Sequence, residues 1–282
     1  MSIPFCAKAW WHSRATSASA GDNGKAMDFR RRAKPLESFA ARSFREPGNG
    51  NAGRSPTAHA EGGRVEWSSW LRAIERKRRM LSRMDSSRLK PLPSEYFAAA
   101  TFASFRLDGI EVTETQIAQA LARGVANKAF RTRLTLRIRN HISILRRIES
   151  AVRVGESLKG QSVVRWYTSI SCGLSTAALD DGMISRLDAV VRRINSPQLR
   201  LQPAITEVAR LHVQLLTDSF VPSFNGILAR LLLQYHLGRC GLPPVIFDPT
   251  SDGGVVSNES QLLGRIMEMV DASYSMLLAP RV

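Results

Sequence analysis

Residues 227–237, ILARLLLQYHL, constrain the fold more than any other part of the chain. A helix on a protein surface carries one apolar stripe. This one is apolar around most of its circumference, so it must run through the middle of the molecule with other elements on every side. Arg230 is the only Lys, Arg, Asp or Glu within it. An unpaired guanidinium in such surroundings is costly, so the sequence also demands an acceptor for Arg230 from elsewhere. Ahead of the helix, residues 220–226 form a turn containing Pro222, Asn225 and Gly226. It feeds a helix N-terminus whose unpaired N–H groups and positive dipole end suit an anion.

Helical periodicity recurs along the rest of the chain, and the expected class is all-α. From Val65, a stripe of Trp67, Trp70, Leu71, Ile74, Arg78 and Leu81 marks a helix with a basic outer face. Its tryptophans read as core anchors in preference to base-stacking platforms. Pro91 and Pro93 interrupt the pattern, Ser94 is placed to cap a helix over 95–107, and Gly109 to stop it. Thr113 and Gln116 have capping-box spacing for a short helix ending near Gly124. Leu134, Ile138, Ile142, Leu145, Ile148 and Val152 line one side of a long helix. Arginines 131, 133, 137, 139, 146 and 147 crowd its other faces and read as solvated surface.

Val163, Trp166, Tyr167 and Ile170 mark a further helix, and Asp180-Asp181-Gly182 reads as a turn. Residues 186–194 fit a helix period and a strand period alike. Pro203 opens a helix with Ala204, Val208, Leu211 and Leu215 inward. Residues 1–63, rich in Ser, Gly, Ala, Asn and Arg without a sustained apolar period, read as a disordered basic leader. Residues 64–155 then form an N-terminal helical region and 156–282 the core.

The formal net charge is +16, and it is unevenly placed: residues 1–90 hold 19 Lys and Arg against 8 Asp and Glu. Runs such as 30–34 and 76–79 could hold nucleic acid nonspecifically, or anionic lipid, by counterion release, or simply be solvated. No apolar run approaches the roughly 20 residues of a membrane span. Cys6, Cys172 and Cys240 are odd in number and widely spaced. They read as reduced thiols, which places the protein in the cytoplasm. No C-x-x-C or H-E-x-x-H pattern suggests a metal.

Residues 219–230 read Ser-Phe-Val-Pro-Ser-Phe-Asn-Gly-Ile-Leu-Ala-Arg and are followed by Leu231, Leu232, Leu233 and by Gly241-Leu242-Pro243-Pro244. This stretch resembles the active-site region of the Fic (Fido) family, whose motif is His-Pro-Phe-x-Asp/Glu-Gly-Asn-Gly-Arg-x-x-Arg with a Leu-rich helix and a Gly-Leu/Tyr-Pro-Pro segment after it. Asn225, Gly226 and Arg230 are retained. Upstream, Ser104-Phe105-Arg106-Leu107-Asp108-Gly109 is similar to the Ser/Thr-x-x-x-Glu-Gly/Asn motif of family members with an N-terminal inhibitory helix. The resemblance implies a Fic/Fido-like helical core around the buried helix, with a small β-hairpin flap near 186–194. It also implies that Asn225, Gly226 and Arg230 face a nucleotide's phosphates, and that Asp108, with Ser104 and Gly109, stands where the inhibitory glutamate pairs with the second motif arginine.

The remaining motif positions are changed. In the family the motif histidine takes a proton from a target hydroxyl as it attacks ATP and receives AMP. Ser219 has no basicity near neutral pH, and loss of a positioned base costs about 10²- to 10⁴-fold in rate. Ser223 replaces the metal-binding carboxylate, so Mg²⁺ is not expected to be held as in the family. Phe224 replaces a glycine and Ile227 the first arginine. His212 sits about 10 Å back along a helix from Ser219 at 1.5 Å per residue, and it, His141 and His236 read as helix-face residues. Asp218 is better placed as a substitute base. The expected function is therefore a degenerate Fic-type protein with little or no AMP transfer from ATP, binding or regulating a protein target that the sequence does not identify. Two alternatives remain open at this point: an active transferase using Asp218, and a basic nucleic-acid-binding protein.

Overall fold

The computed structural model describes residues 63–83, 92–122, 132–171, 179–197, 200–249 and 259–278. The leader expected over 1–63 lies outside these, apart from Gly63, which begins the first helix. The described residues form nine helices and no strand: α1 (Gly63–Arg83), α2 (Ser94–Leu107), α3 (Glu114–Ala122), α4 (Arg133–Val154), α5 (Gly160–Ser171), α6 (Asp181–Asn195), α7 (Leu201–Thr217), α8 (Asn225–Arg239) and α9 (Glu259–Leu278). The all-α class is as expected. The hairpin expected near 186–194 is not there, because those residues lie within α6. Its Leu187, Val190, Val191 and Ile194 fall on one helical face and are buried, and burying that face outweighs the modest β-propensity of the segment.

Helix boundaries follow local chemistry. The Thr113 hydroxyl accepts from Gln116 N–H at 3.2 Å, and the Gln116 side chain accepts from Thr113 N–H at 2.9 Å, closing the expected box ahead of α3. Thr132 caps α4 by accepting from Thr135 N–H. Asp180 was expected in a turn but is the N-cap of α6, its carboxylate accepting from Met183 N–H at 2.6 Å. Ser94 is not the cap of α2. Pro93 holds that position in an extended conformation, and Ser94 is the first helical residue.

The arrangement is built on α8. One side, with Ile227, Leu228, Leu231, Leu232 and Tyr235, joins a core shared with α2 to α7. The other side, with Leu233 and Leu237, joins a second core shared with α1, α7, α9 and residues 240–247. Ile227, Leu228, Leu231, Leu232, Leu233 and Leu237 are each at most 2% exposed, a gross gain on the order of 10 kcal/mol at about 1.5–3 kcal/mol per side chain. Buried Gln234 accepts from Val245 N–H at 3.0 Å and donates to Val245 O, which straps the segment after α8 back onto it. No helix among the described residues is long and apolar enough to cross a membrane.

Candidate functional site

The C-terminus of α2 and the N-terminus of α8 meet at one point. Gly109, at φ +70°, ends α2 with its N–H on Arg106 O and the next N–H, of Ile110, on Phe105 O. This left-handed closure suits glycine and turns the chain sharply. It leaves Asp108 as the C-cap of α2 with its side chain directed at α8. The Asp108 carboxylate accepts from Arg230 through one oxygen and from Ile227 N–H, at 3.2 Å, through the other. Arg230 also donates to the Ser104 hydroxyl at 2.9 Å and to the Ser104 carbonyl at 2.7 Å. The acceptor that a buried arginine demands is thus Asp108, assisted by Ser104. Burial lowers the Arg230 pKa from its ordinary value, and the charge of Asp108 opposes that.

The contact between Asp108 and Ile227 is the part that sequence reasoning missed. The N-cap of α8 is Phe224, which offers no side-chain acceptor. Asp108 supplies the cap across the interface, placing a carboxylate where the dipole of α8 favours an anion. Gly226 makes room for it. A Cβ there would stand 2.4 Å from an Asp108 oxygen and 3.1 Å from an Arg230 nitrogen. In this structure the glycine accommodates a protein carboxylate at the place where the resemblance set a phosphate.

Asp218 is the exposed C-cap of α7, and Ser219 is exposed with φ 45°. Ser223 lies 3.4 Å from the Tyr167 hydroxyl. Phe224 adopts the left-handed conformation, φ 56° and ψ 25°, that a glycine in its place would adopt without strain. Its ring lies 4.6 Å below the Arg137 guanidinium, and Arg186 lies 5.8 Å from the Phe220 ring. Arg137 was expected on a solvated face but is half-buried over the loop. Asn225 faces backward, its amide donating to Leu215 O at 2.6 Å, and so ties the loop to α7.

Three histidines near the centre are buried. His141 and His212 are pushed down to about 3, by burial first and then by the charge of Arg230. His236 is pushed down to about 4, chiefly by burial. The Thr101 hydroxyl donates to Phe97 O, so the His141 ring nitrogen 2.9 Å away is the donor to it. His141, Ser104, Arg230 and Gln234 line a cavity of about 10 Å³, the size of a single water. His212 stacks on Phe247 and lies inside the fold, away from the loop surface.

These residues do not fit a metal-bound nucleotide as they stand. Arg230, which the resemblance sets against phosphate, is occupied by Asp108 and Ser104, and the Ile227 N–H at the start of α8 is taken by Asp108. Ser223 offers a metal only a hydroxyl, and among the described residues no cluster of His, Cys, Asp and Glu has the make-up of a metal site.

No protein-family model matches the sequence, and no curated protein does. The fold is similar to solved structures. A Fic-domain-containing signalling protein from Bacteroides thetaiotaomicron superposes with TM-score 0.56 at 15% identity, over 74% of this chain and 95% of that one. A fragment of Fic-1 from C. elegans superposes with TM-score 0.58 at 15% identity, over 77% of this chain and 74% of that one. The chain has the fold of Fic-domain proteins.

Proposed function

We propose that this Fic-fold chain is a catalytically silent relative of the AMP-transferring proteins, retained as a binding or regulatory module for a protein partner. One observation carries the reading. The Asp108 carboxylate occupies the N-terminus of α8 and holds Arg230, beside a loop in which the motif resemblance sets Ser219 at the general-base position. A displaceable carboxylate alone would describe a switchable enzyme. With a serine in place of the histidine, displacing it still leaves the attacking hydroxyl without the motif's proton acceptor.

The test is protein labelling. Purified full-length chain is incubated with labelled ATP, Mg²⁺ and a cell lysate, as wild type and as Asp108→Gly. Neither should label protein. Labelling by Asp108→Gly would refute the proposal. If that labelling then vanished in Asp108→Gly/Asp218→Asn but persisted in Asp108→Gly/Ser219→Ala, the chain would be a transferase using Asp218 as its base.

A further inference from the structure

We propose that the outer face of α1 is a docking surface for the phosphate backbone of duplex nucleic acid, engaged without regard to base sequence. Arg72, Arg76, Arg79 and Arg83 are all exposed. Their spacing of four, three and four residues puts them within an arc of about 60° on a helix of 3.6 residues per turn. The row is about 16 Å long at 1.5 Å per residue, which spans about five base steps of 3.4 Å. Among the described residues, Arg72, Arg76 and Arg83 have no acidic partner, and Arg79 has only an exposed contact with Glu75 at 3.4 Å. Glu75 lies at one edge of the row and also meets Arg78 at 3.8 Å. Lys77, on another side of the helix, is taken by Asp271 of α9 at 2.6 Å. The row itself is therefore almost uncompensated positive charge on a helix whose other face packs in the core through Ile74 and Leu81.

The packing of α1 separates nucleic acid from the other polyanion available to a basic helix, a membrane surface. A helix that lies in a lipid interface must offer its apolar face to the acyl chains. Here Ile74 and Leu81 are buried, and Trp70 and Leu71 pack beside them against the core shared with α7 and α9. Among the side chains described on α1, residues 68–83, Met80 is the one large apolar group left exposed. Apart from Met80, what residues 68–83 leave exposed to the solvent is Ser68, Ser69 and the arginine row. It carries no aromatic platform on which unpaired bases could stack, so a duplex backbone fits it better than a single strand.

The experiment measures affinity of the full chain for a labelled duplex of arbitrary sequence across a salt series. Two variants are compared, each losing the same charge. One has Arg72, Arg76, Arg79 and Arg83 changed to Gln. The other has the scattered exposed residues Arg106, Arg147, Arg165 and Arg192 changed to Gln. Four phosphate contacts contribute about −3.6 to the slope of log K against log salt. The slope should become shallower by about three to four in the first variant and by less than about one in the second. Equal loss in both variants, or no loss in the first, overturns the proposal. So does a first variant that keeps duplex binding but no longer sediments with phosphatidylserine vesicles, which would assign the row to membranes. Unchanged melting temperatures would show that both variants are folded.

Discussion

Removing the Asp108 carboxylate tests the physical core of the site. Arg230 is 8% exposed as a residue, and the paired side chains are 10% and 14% exposed, so solvent screens the pair little. Stripping one partner from a buried ion pair costs about 3–5 kcal/mol, because the other charge stays buried without compensation. Arg230 keeps its two bonds to Ser104, which puts Asp108→Ala near the lower end, about 3 kcal/mol. The Ile227 N–H also loses its acceptor, and a lost helix cap adds about 1 kcal/mol. The expected total of about 4 kcal/mol corresponds to a fall in melting temperature of about 8–16 °C for a domain of this size. Arg230→Met removes the buried charge itself and should cost about 2–3 kcal/mol, since Asp108 keeps the Ile227 N–H while the Ser104 oxygens lose donors. With the arginine gone, adding Asp108→Ala should cost about 1 kcal/mol more, the value of the cap. A double-mutant cycle in urea should therefore return a coupling of about 3 kcal/mol. A coupling below about 0.5 kcal/mol, the range of independent sites, would refute the argument, as would an Asp108→Ala cost under about 1 kcal/mol.

Acid should unfold the chain early. His141, His212 and His236 have folded pKa values of about 3, 3 and 4, below the ordinary 6.5. Between those limits the unfolded chain binds more protons, so stability is level above pH 6.5 and falls as pH drops below it. Near pH 5 three such groups give a slope of about 4 kcal/mol per pH unit, and urea midpoints that stay constant from pH 7 to 5 would contradict this. Gly238→Ala should destabilise by about 1–3 kcal/mol through overpacking, because the new Cβ would stand 2.7 and 2.8 Å from the Val152 methyls where α8 crosses α4; adding Val152→Ala should remove the clash term, which a thermal-melt cycle measures. Ser219→Gly should raise stability by up to about 1 kcal/mol by relieving a positive φ, and a lower melting temperature would show that the serine side chain has a stabilising contact.

Much of the molecule was legible in the chain because its signals are local or compositional. The buried course of α8 follows from a segment with no polar face, and the need for a partner at Arg230 follows from the cost of an isolated buried charge. The Thr113–Gln116 box and the stop at Gly109 are chemistry within a few residues, and the structure contains both. Residues 186–194 were not decided locally, since their apolar positions serve two periods equally well. The packing of Leu187, Val190, Val191 and Ile194 against the core settled them as helix.

Tertiary structure alone decided everything that depends on which elements meet. The sequence places an aspartate at the end of one helix and a capless N-terminus on another, but only their apposition makes Asp108 the cap of α8 and gives Gly226 its reason for lacking a side chain. The same holds for Arg137. Charge and periodicity assign it to a solvated face, whereas the approach of the loop to α4 sets it over Phe224. Sequence patterning fixes what each helix must bury. The pairing of surfaces far apart along the chain is set by shape and by the requirement that every buried polar group find a partner, and neither can be read one segment at a time.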